Sequence, residues 1–183
     1  CLGSGGGYVP RLMVDCVHEL NETQMYPEDT FGEVYVVDAT NGFNGEVDWS
    51  DEDSFLREKF NPRFINSTTT DAFYNFFVKR DVKIDYLHID ADHTYEGCKL
   101  DFDLYSTIMN ENGIISIHDT DRKYWENFET YDGEEHDSCT GPSEVVKEVS
   151  NKWEVFNLFD YREKNEVLPS SGLTLLRRKN EEV

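Results

Sequence analysis

Apolar and polar residues follow one another along this chain in two alternating rhythms. In RLMVDCVHEL, residues Leu12, Met13, Cys16, Val17 and Leu20 recur at helical spacing, which gathers them on one helix face. GEVYVVDAT is instead β-branched and aromatic, and predicts a strand that ends at Asp38. The alternation continues. DSFLREKF predicts a short helix, RFINST a small strand, and TDAFYNFFVKR a helix capped by Thr70 or Asp71. KIDYLHID predicts a buried strand, GCKLDFDLYSTIMN a helix closed by the turn NENG, and GIISIHDT a second buried strand. The stretch from Asp121 to Pro142 is polar and aromatic with no clear period. Beyond it, PSEVVKEVSNK predicts a helix with Pro142 and Ser143 at its start. WEVFNLFDY and SGLTLLRRK read as an antiparallel strand pair. Strand and helix in turn predict an α/β layer fold with a mostly parallel sheet. No repeat or linker interrupts the 183 residues, which are enough for a single domain, 1–183.

Composition narrows the partners. Hydrophobic residues make up 38% and aromatics 14%, as in a folded protein. Lys and Arg total 17 against 38 Asp and Glu, a formal charge of -21. Such a surface repels phosphate backbones, so no nucleic-acid partner is expected. A solvated surface accounts for most of the charge, although carboxylates gathered locally suit a divalent cation. Cys1, Cys16, Cys98 and Cys139 show no CxxC spacing, so neither structural zinc nor a disulfide framework is expected, and a reducing cytoplasm fits. No signal peptide and no apolar stretch near the roughly 20 residues of a membrane span are found, so no membrane partner is expected. The chain begins at Cys1 without a Met, which leaves room for residues upstream.

In parallel sheets ligands bind outside the carboxyl ends of the strands, and the polar residues of interest fall there. GSGGG, Gly3 to Gly7, opens a helix; glycines allow positive φ and close approach of the backbone to a ligand. Asp38 ends the next strand, where a carboxylate can accept both ribose hydroxyls of a nucleoside. Alone, the loop is an ordinary turn and Asp38 a cap; together they read as a nucleoside site. Further on, YLHIDADHTYEG ends a strand in Asp90, Asp92 and His93, and Asp119 ends the following strand after His118. The spacing is one strand-helix-strand unit, and neighbouring strands lie about 4.8 Å apart. Asp90 and Asp119 would then end side by side and repel, unless a cation or a shared proton relieves them. As structural residues, Asp119 would cap the next segment, Asp92 would start a helix and His93 would sit on the surface. Asp101 and Asp103 read as helix-face acids, His88 as a satisfied core histidine, and DWSDEDS as a solvated charge run. His18 and His136 show no partner in the sequence.

The Gly-rich loop, the acid ending the second strand, YLHIDADHTYEG, ENGIISIHDTD and the terminal strand pair resemble a class I S-adenosylmethionine-dependent methyltransferase. The resemblance is to the small-molecule O-methyltransferases related to macrolide-sugar methyltransferases and cephalosporin-hydroxylase-like proteins, and it covers nearly the whole chain. It implies a Rossmann-like methyltransferase fold, a mostly parallel seven-stranded sheet with one antiparallel strand and helices on both faces. It implies S-adenosylmethionine as cofactor, with Gly3, Gly5 and Gly7 under its methionine part, Asp38 on its ribose, and Ser67 and Thr68 beside its adenine. Asp90, His118 and Asp119 would bind magnesium or another divalent cation, Asp90 would serve catalysis through it, and His93 would be the base. The acceptor would be a hydroxyl of a small molecule or sugar. Two features depart from the family. His118-Asp119 stands where metal-dependent relatives carry two acids, and imidazole is a softer ligand than carboxylate, so the metal is different or absent. The glycine loop also begins at the chain's first residues, so the first strand is truncated or missing. The residues from Asp121 to Pro142 would form a substrate lid or a locally packed surface loop. Two other readings stay open: a metal-dependent glycosyltransferase using the Asp90-Ala91-Asp92 triplet, and a nucleoside-binding module of the same fold without catalysis. The identity of the acceptor and assembly into a homo-oligomer are left open.

Overall fold

A computed structural model describes residues 1–3, 8–23, 32–40, 62–121, 140–158 and 171–179. The chain forms two compact units, Cys1–Phe76 and Phe77–Val183. The sequence-predicted helix DSFLREKF, and the stretch 122–139, lie outside the described residues.

In the first unit, helix α1 (Tyr8–Glu22) lays Met13, Val14 and Val17 against Val34, Val36 and Phe64. Leu12, assigned to the same stripe by its spacing, is exposed instead. Strands β1 (Tyr35–Asp38) and β2 (Arg63–Asn66) run parallel, with Asp38 opposite Asn66. Leu2 makes a parallel bridge to Val37, fixed by the Val37 N–H donating to Cys1 O and the Gly3 N–H donating to Val37 O, both at 2.9 Å. The truncated first strand therefore persists as a stub that still pairs. Helix α2 (Thr69–Ala72) is capped by Thr68, not by Thr70 or Asp71: the Thr68 side chain accepts the Asp71 N–H at 3.1 Å. An extended Thr68 backbone is what a cap residue requires, and Thr70 and Asp71 are already inside the helix. The chain stays helical through a π turn, Phe73–Phe77, and a 3-10 turn, Val78–Arg80.

The second unit is a four-stranded sheet. Strands β3 (Ile84–Ile89) and β4 (Met109–His118) pair in parallel; β6 (Leu173–Arg178) lies antiparallel between β4 and β5 (Trp153–Leu158), giving the order β3-β4-β6-β5. The antiparallel insertion matches the expected sheet in character. The described residues form sheets of two and four strands, without a seven-stranded sheet among them.

The helix expected over GCKLDFDLYSTIMN is shorter. Helix α3 (Tyr95–Tyr105) gives way to a 3-10 turn, Ser106–Ile108, and Met109 already pairs with Ile84. NENG then bulges out of the ladder before Ile114 pairs with Tyr86. Gly113 closes the bulge where a Cβ would meet the Met109 side chain at 2.7 Å and Asn110 O at 3.0 Å. Helix α4 (Gly141–Val149) starts with Pro142 in its first turn, as predicted.

Register explains the core. Leu87 lies opposite Ile115 and Ile89 opposite Ile117, so all four share one face, and all four are buried. Helices α3 and α4 add Phe102, Tyr105, Val145 and Val149, and the Phe102 ring meets Trp153 edge-on at 5.3 Å. Asp101 on α3 is buried too, unlike the exposed helix-face acid expected; Asp103 is exposed and pairs with Lys99 at 2.5 Å. The other sheet face carries Tyr86, His88, Ser116 and His118, because His88 lies opposite Ser116 and strand residues alternate.

Candidate active site

Three parallel segments of the first unit end together. Gly3 leaves the strand stub at φ 80°, a conformation that suits glycine. Asp38 ends β1, and its Oδ1 accepts both the N–H and the hydroxyl of Thr40 at 2.8 Å. Beside it, the Ser67 N–H donates to Asp38 O at 3.2 Å, and Thr68 caps α2. Gly3, Asp38, Ser67 and Thr68 thus sit at strand ends in one unit. Gly5 and Gly7 lie outside the described residues.

The second unit brings the remaining candidates together. Asp90 follows β3, and His118 and Asp119 close β4, whose parallel register aligns the two ends. Asp119 adopts φ 57° and is buried. Aspartate is among the few non-glycine residues that tolerate this left-handed turn. His93 Nε2 lies 3.3 Å from Asp90 Oδ1 and 3.1 Å from Asp119 Oδ2, so the imidazole bridges the two carboxylates. His118 Nδ1 lies 3.4 Å from Asp90 Oδ1 and 3.1 Å from Asp119 Oδ1. Asp92 turns elsewhere. It is exposed, and its Oδ1 accepts the Thr94 N–H at 2.9 Å at the entry to α3, where Thr94 is the cap. The structural role foreseen for Asp92 is the one it plays, and the Asp90-Ala91-Asp92 triplet does not act as a unit.

Charge accounts for the arrangement. Burial alone would raise the Asp90 pKa, but the His118 and His93 imidazoles overcome it and hold this carboxyl well below the usual range. The Asp90 carboxylate raises His93 against the opposing effect of burial. Asp119, then Asp90, raises His118 to about 10. Two carboxylates at one sheet edge are thus balanced by two imidazoles, each strengthening the charged form of the other.

Other contacts carry no signal in composition. Gly141, the first residue of α4, leaves no room for a Cβ, which would collide with the Tyr95 amide nitrogen, the Thr94 carbonyl carbon and the His93 carbonyl oxygen. The backbone that carries His93 is seated against this glycine. His88, read as a satisfied core histidine, is only half so: Nδ1 lies 2.8 Å from Ser116 Oγ, whereas buried Nε2 has no hydrogen-bond partner and lies 3.9 Å from Asp90 Oδ2. The signal was the two-residue spacing of His88 and Asp90, which puts both on one side of the strand. His18 forms an exposed pair with Glu22 at 3.4 Å, which the helical spacing of the two residues would have suggested.

The sequence over residues 2–120 matches the family model described as a methyltransferase domain. The chain belongs to this methyltransferase family. It is a class I S-adenosylmethionine-dependent enzyme, and its fold agrees. An O-methyltransferase from Bacillus cereus, in complex with SAH, superposes with a TM-score of 0.64 at 13% identity, over 97% of this chain and 72% of that one. The O-methyltransferase TomG from Streptomyces achromogenes, involved in tomaymycin synthesis and in complex with SAM, gives 0.64 at 10% identity over 98% and 71%. CalS11, a calicheamicin methyltransferase, gives 0.60 at 10% identity over 96% and 70%. At these identities the likeness is one of fold. Among curated proteins the methyltransferase finds no match. No helix among the described residues is long and apolar enough to cross a membrane.

Proposed function

We propose that this methyltransferase transfers a methyl group to a hydroxyl of a small molecule, with the whole chain, 1–183, acting as one S-adenosylmethionine-binding domain. The observation that carries the reading is His93 held between two carboxylates at adjacent parallel strand ends, 3.3 Å from Asp90 and 3.1 Å from Asp119. The first unit fits a nucleoside: a positive-φ glycine, a strand-end carboxylate and the capped start of a helix meet at its strand ends. Gly3 would approach the methionine part, Asp38 would accept the ribose hydroxyls, and Ser67 and Thr68 would border the adenine; Gly5 and Gly7 continue the same loop. When bound, S-adenosylmethionine supplies an electrophilic methyl on a sulfonium that leaves as a neutral thioether.

The chain's own residues then have three tasks. They orient the acceptor oxygen in line with the carbon–sulfur bond, which makes the step effectively unimolecular. They exclude water. They take the hydroxyl proton. His93 Nε2 is placed for the last task, because Asp90 and Asp119 stabilise the imidazolium formed when it accepts that proton. Asp90 and Asp119, with one imidazole, also fit a divalent cation: one ligand atom from each of Asp90, His93 and Asp119 lies within 4.8 Å of the others. We assign His93 to the proton and Asp90, His118 and Asp119 to the cation, which would supply Lewis acidity to the hydroxyl. The acidic surface and a reducing cytoplasm suit a small, uncharged or cationic acceptor and no nucleic acid.

Asp90→Asn tests the reading. Methyl transfer to a panel of phenols, sugars and hydroxylated polyketides should be lost, while S-adenosylhomocysteine still raises the melting temperature as it does in the parent chain. Full turnover by Asp90→Asn would overturn the role given to this corner.

A further inference from the structure

The hydrogen bonds of Ser116 fix the proton of His88. Ser116 has one hydroxyl proton, and it donates to Leu87 O at 3.3 Å. The Tyr86 hydroxyl and His88 Nδ1 both lie 2.8 Å from the same Oγ. With the Ser116 proton committed, each of these neighbours must donate to a lone pair of Oγ. His88 therefore carries its proton on Nδ1 and presents a lone pair at Nε2. That atom is buried in a residue 2% exposed, has no hydrogen-bond partner, and lies 3.9 Å from Asp90 Oδ2. A lone pair facing a carboxylate in a buried setting is unfavourable until a cation stands between them. His118 Nδ1 repeats the situation on the other oxygen: it is buried without a hydrogen bond, 3.4 Å from Asp90 Oδ1 and 3.1 Å from Asp119 Oδ1.

Resting on the cation of the proposed function, we propose that this corner selects a divalent transition-metal ion of borderline hardness over magnesium, with His118 Nδ1 and His88 Nε2 as nitrogen ligands beside Asp90 and Asp119. Magnesium takes an octahedral shell of oxygens and keeps several waters, whereas imidazole favours zinc, iron, cobalt and nickel. Ligand atoms about 2.1 Å from one ion lie about 3 to 3.5 Å from each other in octahedral or tetrahedral geometry. The His118 distances fall in that range, and His88 is the outermost donor. A ligating histidine characteristically donates its second ring N–H to a fixed acceptor, which orients the ring; Ser116 is that acceptor for His88. The sequence cue is the pair of two-residue spacings, His88 to Asp90 and Ser116 to His118, on adjacent strands.

Cobalt(II) is the probe. Titrated into the full chain, it should develop a visible d–d band that saturates at stoichiometric metal, survives a large excess of magnesium and disappears with zinc. His118→Asp should weaken cobalt binding about ten- to hundredfold and let magnesium compete, and His88→Leu should weaken it in the same range. Displacement of cobalt from the parent chain by magnesium, or an unchanged band in both variants, would overturn the selectivity; the magnesium competition needs no variant, so it decides even if a substitution unfolds the chain. An S-adenosylhomocysteine thermal shift, run on the same samples, separates this outcome from the methyltransferase reading, which stands wherever that shift and methyl transfer persist.

Discussion

Asp119 does two jobs with one residue, turning the backbone at φ 57° and facing His93 and His118 with its carboxylate. The jobs separate by substitution. Asp119→Asn keeps a side chain that tolerates the left-handed region, whereas Asp119→Ala adds a strain of about 1–2 kcal/mol. Both should lose methyl transfer, and urea midpoints should show alanine as the less stable. His93 offers a test in pH. As a base it must be neutral, and Asp90 raises its pKa above the ordinary 6.5. The rate should therefore rise with pH through a value above 6.5, and His93→Gln should flatten that limb and lower kcat by about a hundredfold or more. Cysteine behaviour follows from burial, which pushes the Cys98 thiol up to about 12, while Cys16 is exposed. Peptide mass mapping after brief maleimide treatment of the native chain should find Cys16 modified and Cys98 untouched. At this scale the sequence exposed Asp90, His93 and Asp119, because acids and imidazoles at strand ends are conspicuous. It hid the burial of Asp101 and the orphaned nitrogen of His88, because periodicity reports which side a residue faces and not which of its atoms is satisfied.

Helix ends hold the active corner in place. Thr94 caps α3 directly after His93, its side chain accepting the Gly97 N–H at 3.1 Å. Thr94→Ala should cost about 1 kcal/mol in urea unfolding and loosen the residue on which proton removal depends. Gly141→Ala acts from the opposite side, by pushing on the backbone from His93 to Tyr95; its expected signature is lower kcat together with lower stability, read by kinetics and thermal unfolding on one preparation. Element type was legible for the described strands and helices, since two-residue and helical periods differ plainly. Boundaries were less so. Met109 continues the apolar pattern of α3, yet pairing with Ile84 draws it into β4, a tertiary contact to which local spacing is blind. The cap at Thr68 was missed because three threonines in a row offer equivalent hydroxyls, and only the extended backbone at the first decides.

For the molecule as a whole, the charged corner makes stability depend on pH. His118, raised on folding, stabilises the fold below its ordinary value of 6.5, and the contribution is lost as pH climbs through about 10. Asp90 is lowered on folding, so its contribution is present above its ordinary 3.8 and lost as pH falls toward its depressed value. Denaturant midpoints in chelator should be highest between these limits. His118→Gln should remove part of the alkaline decline, leaving the portion due to the net charge of -21. The α/β class and the antiparallel insertion were legible because alternation and a terminal strand pair leave few topologies. Sheet size was not, because the number of strands depends on which short segments find partners. One consequence concerns the stretch 122–139. Asp121 is tied to the start of β6 by its N–H donating to Ser171 O at 2.8 Å, and Gly141 is wedged beneath the His93 backbone. Both posts of that span are set in the same unit, one strand end apart from the proton-handling residues. New sequence can therefore be spliced between them to recognise a different acceptor, with the posts themselves left untouched.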